Sequence, residues 1–143
     1  LCLRPEGTAT CELIAKKLSG YKDIKLFYDI RCWRYERPQA GRYREFTQFG
    51  FEWLNPSNIT EANQATIDLA VQIADQFLIN YELCRSVKRG LAYYSGEVFE
   101  ITCSRLGAQK QVIGGGPYST GTGFAIGVDR MVLARQIESG VQA

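Results

Sequence analysis

Over positions 48–53, polar or small residues alternate strictly with aromatic ones, and this pattern, in a segment that begins at Phe46, constrains the fold most. In a β-strand, alternate side chains point to opposite faces of the sheet. One face then carries Phe46, Gln48, Gly50 and Glu52. The other carries Thr47, Phe49, Phe51 and Trp53. The aromatic face is typical of a core, whereas the face with Gln, Gly and Glu predicts the floor of a pocket for a polar, partly cationic small molecule.

Arginines are concentrated just before this strand. The cluster consists of Arg31, Arg34, Arg37, Arg42 and Arg44. Lysine is absent from it, and planar guanidinium groups suit phosphate or carboxylate. Pro38 and Gly41 interrupt the segment, so we expect a hairpin whose loop spans 35–44. The pattern favours an anion-binding site, with a solvated surface cluster as the alternative.

Length and composition exclude several classes of function. A chain of 143 residues can bury roughly two thirds of its unfolded surface as one domain. Its five cysteines contain no CxxC pair, and we see no signal peptide, so we expect reduced thiols and a cytoplasmic protein. The absence of histidine excludes Ser-His-Asp catalysis and histidine-containing zinc sites. No apolar run approaches the roughly 20 residues of a membrane span.

The first half of the chain predicts a helix, a hairpin and a second helix. The first helix should span 8–18, with Thr8 as its N-cap and with Leu13, Ile14 and Leu18 buried. Strands at 25–33 and 46–53 form the hairpin. Thr60 is the predicted cap of the second helix. Its apolar stripe comprises Ile67, Ala70, Val71, Ala74, Phe77, Leu78 and Tyr81.

The second half predicts strands at 97–103, 111–113 and 124–128, a glycine-rich loop over 114–123, and a helix over 129–138. Asp129 is the predicted cap of that helix, which places Arg130 in its first turn. A cation is unfavourable at the positive end of a helix, so an anionic ligand is expected beside Arg130; an outward-pointing side chain is the alternative. Strands that pair through a hairpin, with helices between them, predict an antiparallel α+β fold.

Two further segments are candidates for binding. Tyr93 and Tyr94 lie between glycines, which favours a loop that presents phenol groups; packing at a sheet edge is the alternative. Glu6 precedes the first helix on a tight turn and could bind a substrate amine, although the segment could also be only a helix start.

Taken together, four segments resemble the histidyl-tRNA synthetase family of class II aminoacyl-tRNA synthetases. Residues 3–9 resemble its LRPEGTA segment, and 34–52 its motif 2. Residues 89–100 resemble its RGLDYY signature and the VFE strand after it, with Ala92 in place of the aspartate. Residues 123–130 resemble its motif 3. The order along the chain is that of the family, and the resemblance implies a class II antiparallel sheet flanked by helices.

The resemblance implies that ATP and L-histidine form histidyl-adenylate, which is transferred to tRNA(His). Arg34 would hold the α-phosphate and the substrate carboxylate, and Arg89 would neutralise charge at the α-phosphorus. The ATP-binding residues would be Arg34, Glu36, Arg42, Phe46 and Arg130. The histidine-binding residues would be Glu6, Gly7, Thr8, Arg34, Gln48, Glu52, Arg89, Tyr93 and Tyr94. Mg²⁺ would arrive with ATP, without a metal site of the protein's own, and the intact protein would be a homodimer.

The sequence also departs from the family pattern. GGGPYS stands at 114–119 where GGRYD is expected, and the connection to motif 3 is short. We expect residues 1–143 to form a single, partial class II catalytic domain, without the insertion or anticodon-binding domains. Two other hypotheses remain open: a non-catalytic histidine-sensing paralogue, as in the regulatory subunit of histidine biosynthesis, and a general nucleotide- or RNA-binding module. The arginine clamp favours the enzyme over the sensor, and the lack of an aromatic stacking platform counts against the RNA-binding module.

Overall fold

The predicted hairpin forms one side of a six-stranded antiparallel sheet. The structure is a computed structural model that describes residues 2–86 and 94–140. The strands are β1 (Ile24–Trp33), β2 (Glu45–Leu54), β3 (Glu82–Arg85), β4 (Phe99–Thr102), β5 (Gln111–Tyr118) and β6 (Gly121–Gly127). They lie in the order β1-β2-β6-β5-β4-β3, with every neighbouring pair antiparallel. The helices are α1 (Thr8–Lys17), α2 (Ile59–Phe77) and α3 (Val128–Glu138). The antiparallel α+β prediction is confirmed.

The two faces of β2 separate the core from the site. Phe49 and Phe51 pack against the large apolar cluster that α2 and α3 form with the sheet. On the opposite face, Gln48, Gly50 and Glu52 are buried, as the alternation predicts for a pocket floor. A smaller cluster, containing Cys11 and Tyr118, lies on that side between α1 and the sheet.

The glycine-rich segment 114–123 is strand, so the prediction of a loop is wrong. Only Ser119 and Thr120 separate β5 from β6. The glycines serve close packing rather than turning: a Cβ on Gly115 would lie 2.2 Å from the carbonyl oxygen of Gly123. From sequence alone a run of glycines predicts a turn, because the sequence does not show which strands will lie beside it. The short strand β3 was also not predicted, and β4 is shorter than 97–103.

The buried stripe of α1 differs from the prediction. Leu13 and Ile14 are exposed, and the buried residues are Thr8, Cys11 and Ala15. Cys11 and Ala15 pack in the smaller cluster with Leu54 and Tyr118, and Thr8 donates to Glu52, which leaves the side of the helix that carries Leu13 and Ile14 to solvent. In α2, Ile67, Ala70, Ala74 and Leu78 are buried as predicted. Phe77 is 51% exposed and Tyr81 lies beyond the end of the helix.

All three predicted N-caps are wrong by one or two residues. Gly7 precedes α1, and Thr8 is the first helical residue. Asn58 caps α2, where its side-chain oxygen accepts the backbone N–H groups of Thr60 and Glu61. Gly127 precedes α3, and Asp129 instead accepts the backbone N–H of Thr47 at 2.7 Å. The carboxylate thus fixes the start of α3 to β2 rather than capping its own helix.

Candidate active site

A cleft of about 90 Å³ opens above the polar face of β2, between the hairpin loop and the starts of α1 and α3. Its lining includes nine of the predicted site residues: Glu6, Thr8, Arg34, Glu36, Arg42, Phe46, Gln48, Tyr94 and Arg130. Lining residues that we did not predict are Gly41, Tyr43, Gln111, Val112, Gly114, Ala125, Gly127 and Asp129. Side chains more than a hundred residues apart therefore meet in one place.

Three arginines, Arg34, Arg42 and Arg130, form what we call the arginine end of the cleft. Arg130 donates from Nε to the carbonyl oxygen of Gly41 and from a terminal nitrogen to that of Gln111, at 3.0 Å for the latter. It thereby joins α3 to the hairpin loop and to β5. The alternative, an arginine that points into water, is wrong because these carbonyls hold the guanidinium.

The other two arginines are also fixed. Arg34 donates from Nε to the carbonyl oxygen of Pro5 at 2.8 Å, and its guanidinium lies 5.0 Å from the ring centre of Phe46. Arg42 forms an ion pair with Glu36. These contacts hold both guanidinium groups at the cleft with donors left over, because each guanidinium has five.

Electrostatic repulsion is built into the arginine end. Burial, followed by the charges of Arg34 and Arg42, lowers the pKa of Arg130. Glu36 opposes this effect only in part. A guanidinium stays charged in proteins, so the repulsion remains as a cost until an anion enters. The end is therefore suited to phosphate groups, which accept several guanidinium hydrogen bonds at once.

The opposite end, which we call the carboxylate end, consists of Glu6, Thr8, Gln48 and Glu52. The Glu6 carboxylate accepts the backbone N–H groups of Thr8 at 2.6 Å and Ala9 at 2.9 Å, which fixes it at the start of α1. Gln48 accepts the backbone N–H of Gly7 at 2.9 Å through Oε1, so Gly7 contacts the site through its backbone. The end presents fixed oxygen atoms, which favour a cationic or hydrogen-bond-donating ligand.

Glu52 lies one layer deeper and is fully buried. Its Oε1 accepts the Thr8 hydroxyl at 2.7 Å, and its Oε2 accepts the Tyr118 hydroxyl at 2.9 Å. Burial raises the pKa of Glu52 to about 7 and Glu6 adds to the increase, although the hydroxyls of Thr8, Tyr118 and Tyr28 act in the opposite direction. Thr8 lines the cleft and Glu52 does not, so Glu52 reaches the cleft through Thr8.

The tyrosine pair is only half described. Arg89 and Tyr93 lie outside the described residues. Tyr94 forms a backbone bridge with Tyr118 and also lines the cleft, so it combines the two roles that the sequence left open. Tyr118 was missed because it stands in the run interpreted as a loop. The signal that could have revealed it is the β-rich sequence around the glycines.

Within residues 2–86 and 94–140, no group of three or more His, Cys, Asp or Glu side chains could hold a metal ion.

In the same residues, no helix is both long and apolar enough to span a membrane.

Comparisons with known proteins agree with this geometry. No family model matches the chain. The histidine–tRNA ligase of Methanosarcina acetivorans is 26% identical, with 92% of this chain and 58% of the relative covered. That of Archaeoglobus fulgidus is also 26% identical, with 98% of this chain and 60% of the relative covered. Over most of its length the chain is similar to histidine–tRNA ligases.

Solved structures give the same result. The apo histidyl-tRNA synthetase of S. aureus superposes with a TM-score of 0.73 at 25% identity, covering 98% of this chain and 53% of that one. A pyrrolysyl-tRNA synthetase of Desulfitobacterium hafniense superposes with a TM-score of 0.72 at 21% identity, covering 99% and 50%, which supports the class II fold alone.

The chain is shorter than these relatives in two ways. It spans about three fifths of the length of the curated relatives that it matches. The alignments extend over 240 and 246 residues, whereas the chain has 143, so the relatives contain segments within the matched region that this chain lacks.

Proposed function

We propose that this chain is the catalytic part of a histidine–tRNA ligase, which activates L-histidine with ATP and transfers it to tRNA(His). One observation carries the proposal: a single cleft joins an arginine end suited to phosphates to a carboxylate end suited to an amino group. An enzyme that makes an aminoacyl-adenylate needs both ends in one cleft. The relatives' name, histidine–tRNA ligase, supports histidine as the amino acid.

The proposed chemistry needs little from the protein beyond position and charge. The histidine carboxylate attacks the α-phosphorus of ATP, an oxygen–phosphorus bond forms, and pyrophosphate leaves with the electron pair of the broken bond. The nucleophile is already ionised, so no general base is required. The absence of histidine side chains from this protein therefore does not impair the reaction. Catalysis comes from holding the reactants in line and from neutralising charge in the transition state.

Roles follow from the two ends. Arg34, the member of the arginine end that donates to the Pro5 carbonyl beside Glu6, would contact both the α-phosphate and the substrate carboxylate. Arg42 and Arg130 would hold the outer phosphates, and Phe46 would stack on the adenine. Glu6, Thr8 and Gln48, which line the other end of the cleft, would hold the ammonium group. Arg89 and Tyr93 keep the roles that the resemblance gave them, with Arg89 at the α-phosphorus.

Mg²⁺ fits this cleft only as a companion of the nucleotide. Mg²⁺ commonly binds through substrate phosphates with one or two carboxylates. Glu36 and Asp129 line the cleft, but each is already engaged, by Arg42 and by the Thr47 N–H. Glu36 is the carboxylate that would hold the ion, because phosphate groups would take the place of Glu36 as the ion-pair partner of Arg42. Bound Mg²⁺ would supply neutralisation of the phosphate charge.

The test is histidine-dependent exchange of pyrophosphate into ATP. We expect exchange in the wild type and a loss on the order of 100-fold or more in Arg34→Ala and in Arg89→Ala. Arg105→Ala, which changes an exposed arginine remote from the cleft, should exchange like the wild type. Unimpaired exchange in Arg89→Ala would contradict the mechanism. The assay should use the full-length protein, which we expect to be a cytoplasmic homodimer with residues 1–143 as one catalytic domain.

The histidine-sensing paralogue is the second candidate. It is favoured by the departures from the family pattern, including Ala92 and the altered segment at 114–119. Isothermal titration separates the two candidates: an enzyme binds both ATP and histidine, whereas a sensor binds histidine alone. The arginine end supports the enzyme because a histidine sensor has no use for three convergent guanidinium groups.

A further inference from the structure

The pairing of β2 with β6 ends where α3 begins. The last pair is Gln48 with Gly127, and the next residue of the chain, Val128, is already helical. On β2, the backbone N–H of Thr47, one residue beyond this pair, donates to Oδ2 of Asp129 at 2.7 Å. The Asp129 carboxylate therefore stands where one more residue of β6 would pair with β2.

Arg130 is the next residue, and its side chain extends from this fixed point into the cleft. Its stem lies close to two glycines: a Cβ on Gly127 would be 3.8 Å from Arg130 Cδ, and a Cβ on Gly41 would be 3.9 Å from Arg130 Cγ. Its guanidinium donates to the carbonyl oxygens of Gly41 and Gln111. The hairpin loop, β5 and α3 thus meet at one side chain, whose position depends on where α3 begins.

Several forces act to move this guanidinium out of the cleft. Burial, and then the charges of Arg34 and Arg42, lower the pKa of Arg130, so its charged form is destabilised where it lies. Glu36 and then Tyr43 oppose this effect. A cation in the first turn of a helix is also unfavourable because of the helix macrodipole. A loosely held helix start would therefore let Arg130 withdraw towards water.

Asp129 attaches the start of α3 at a favourable place for a carboxylate. It is the second residue of the helix, where the macrodipole stabilises a negative charge. A hydrogen bond from a backbone N–H to a charged acceptor is also stronger than one to a neutral acceptor. Asp129 and its donor, Thr47, are 82 residues apart, so the bond joins α3 to β2. A cap of its own helix would not hold α3 to the sheet.

We propose that Asp129 is a positioning residue for nucleotide binding: its carboxylate fixes α3 to β2 and thereby keeps Arg130 in the cleft against the repulsion of the neighbouring arginines. The inference rests on the proposed function in taking ATP as the ligand. Asp129 acts through Arg130, by the place of its hydrogen-bond acceptor rather than by its charge. Without the contact to β2, Arg130 is displaced and the outer phosphates lose a donor.

The experiment is histidine-dependent pyrophosphate exchange in the full-length protein. In Asp129→Ala we expect kcat/KM for ATP to fall on the order of 100-fold, because a small misplacement of a positioned group has an effect of that size. The KM for histidine should stay unchanged, since Arg130 belongs to the arginine end. Wild-type kinetics for ATP in Asp129→Ala would overturn the proposal.

Two conservative variants separate position from charge, and they decide the matter even if Asp129→Ala does not fold. Asp129→Asn keeps an oxygen that can accept the Thr47 N–H but loses the charge, and it should stay within about 10-fold of the wild type. Asp129→Glu keeps the charge but moves the carboxylate by one methylene, and it should lose more. The reverse order would mean that the charge acts directly, as a counter-ion or a magnesium ligand, and would contradict the positioning role.

Asp23→Ala is the matched control. The Asp23 carboxylate also accepts a distant backbone N–H, that of Ser57 at 2.9 Å, but in an exposed position that does not border the cleft. This variant loses the same kind of contact and should leave the KM for ATP in place. If it raised that KM as much as Asp129→Ala does, general loosening of the fold would explain both results and the proposal would fail.

A second readout separates this inference from the proposed function. Arginine labelled with ¹⁵N reports the Nε–H of Arg130 by NMR, with Arg130→Lys to assign the signal. If the wild type shows no histidine-dependent exchange, the proposed function fails. Even then, an Arg130 Nε–H that exchanges faster with water in Asp129→Glu than in Asp129→Asn supports the positioning role. Equal and wild-type exchange in both variants contradicts it.

Discussion

The two ends of the cleft meet their electrostatic needs in opposite ways. At the arginine end, three guanidinium groups repel one another, which lowers the pKa of Arg130. At the carboxylate end, Glu52 is fully buried and neutral hydroxyls satisfy it from two directions. The arginine end therefore has uncompensated positive charge that an anionic ligand can neutralise. In contrast, the Glu52 carboxylate already has hydrogen-bond donors from the protein itself. Substitutions at the arginine end should therefore affect ligand binding, whereas substitutions that crowd the buried Glu52 should affect folding first.

Gly123→Ala should have the largest effect, at the carboxylate end. The new Cβ would lie 2.0 Å from Glu52 Oε2 and 2.4 Å from the carbonyl oxygen of Phe51, so side chain and backbone would both have to move. We expect a loss of at least about 3 kcal/mol in the free energy of unfolding, measured by urea denaturation. Gly20→Ala, with nothing within 4 Å of its Cβ, should change stability little. Equal midpoints for the two variants would contradict the packing described for β6.

The second prediction concerns pH. The pKa of Glu52 is about 7 in the fold against an ordinary value of 4.5, so the folded state binds this proton more tightly than the unfolded state. The contribution of Glu52 to stability is therefore full below about pH 4.5 and declines as pH rises to about 7. Glu52→Gln should gain about 3 kcal/mol relative to wild type over that range. Parallel curves of unfolding free energy against pH would show that Glu52 titrates normally.

Arg42→Ala tests the arginine end. A guanidinium–phosphate hydrogen bond contributes roughly 1.5–3 kcal/mol, so the KM for ATP should rise about 10- to 100-fold. The free energy of unfolding should change by less than about 1 kcal/mol, because one repelling charge is removed together with its ion pair to Glu36. Arg37→Ala is the matched control from the same loop, since Arg37 is exposed and does not border the cleft. If Arg42→Ala lowered the free energy of unfolding but left the KM for ATP unchanged, the arginine end would serve folding rather than ligand binding, and the comparison between the two ends would be wrong.

The sequence predicted those parts of the site that depend on local periodicity. Alternation along β2 placed Gln48 and Glu52 on one buried face, and the structure has them there. The density of arginines predicted a cationic loop, and Arg34 and Arg42 line the cleft. These features are local, because a strand fixes the direction of alternate side chains whatever its neighbours are.

What could not be predicted depends on contacts between distant strands. The glycines at 114–116 suggested a turn, because glycine gives the backbone conformational freedom. Glycine also permits neighbouring strands to pack closely, and that is its role here. Only the register of β5 against β6 distinguishes the two roles. The contact of Tyr118 with Glu52 spans 66 residues and two strands, so it has no local signature in the chain.

The smallest predicted effect lies at neither end of the cleft and serves as a baseline. The start of α2 offers Asn58 and Thr60 as caps, and the structure selects Asn58, whose side chain accepts the N–H groups of Thr60 and Glu61 at 3.1 and 3.3 Å. Asn58→Ala should cost about 1 kcal/mol of unfolding free energy by thermal or urea denaturation, whereas Thr60→Ala should cost less than half of that. Neither should alter the KM for ATP or histidine. A change in KM of the size expected for Arg42→Ala would mean that general loosening of the fold, rather than local charge, controls binding at the arginine end.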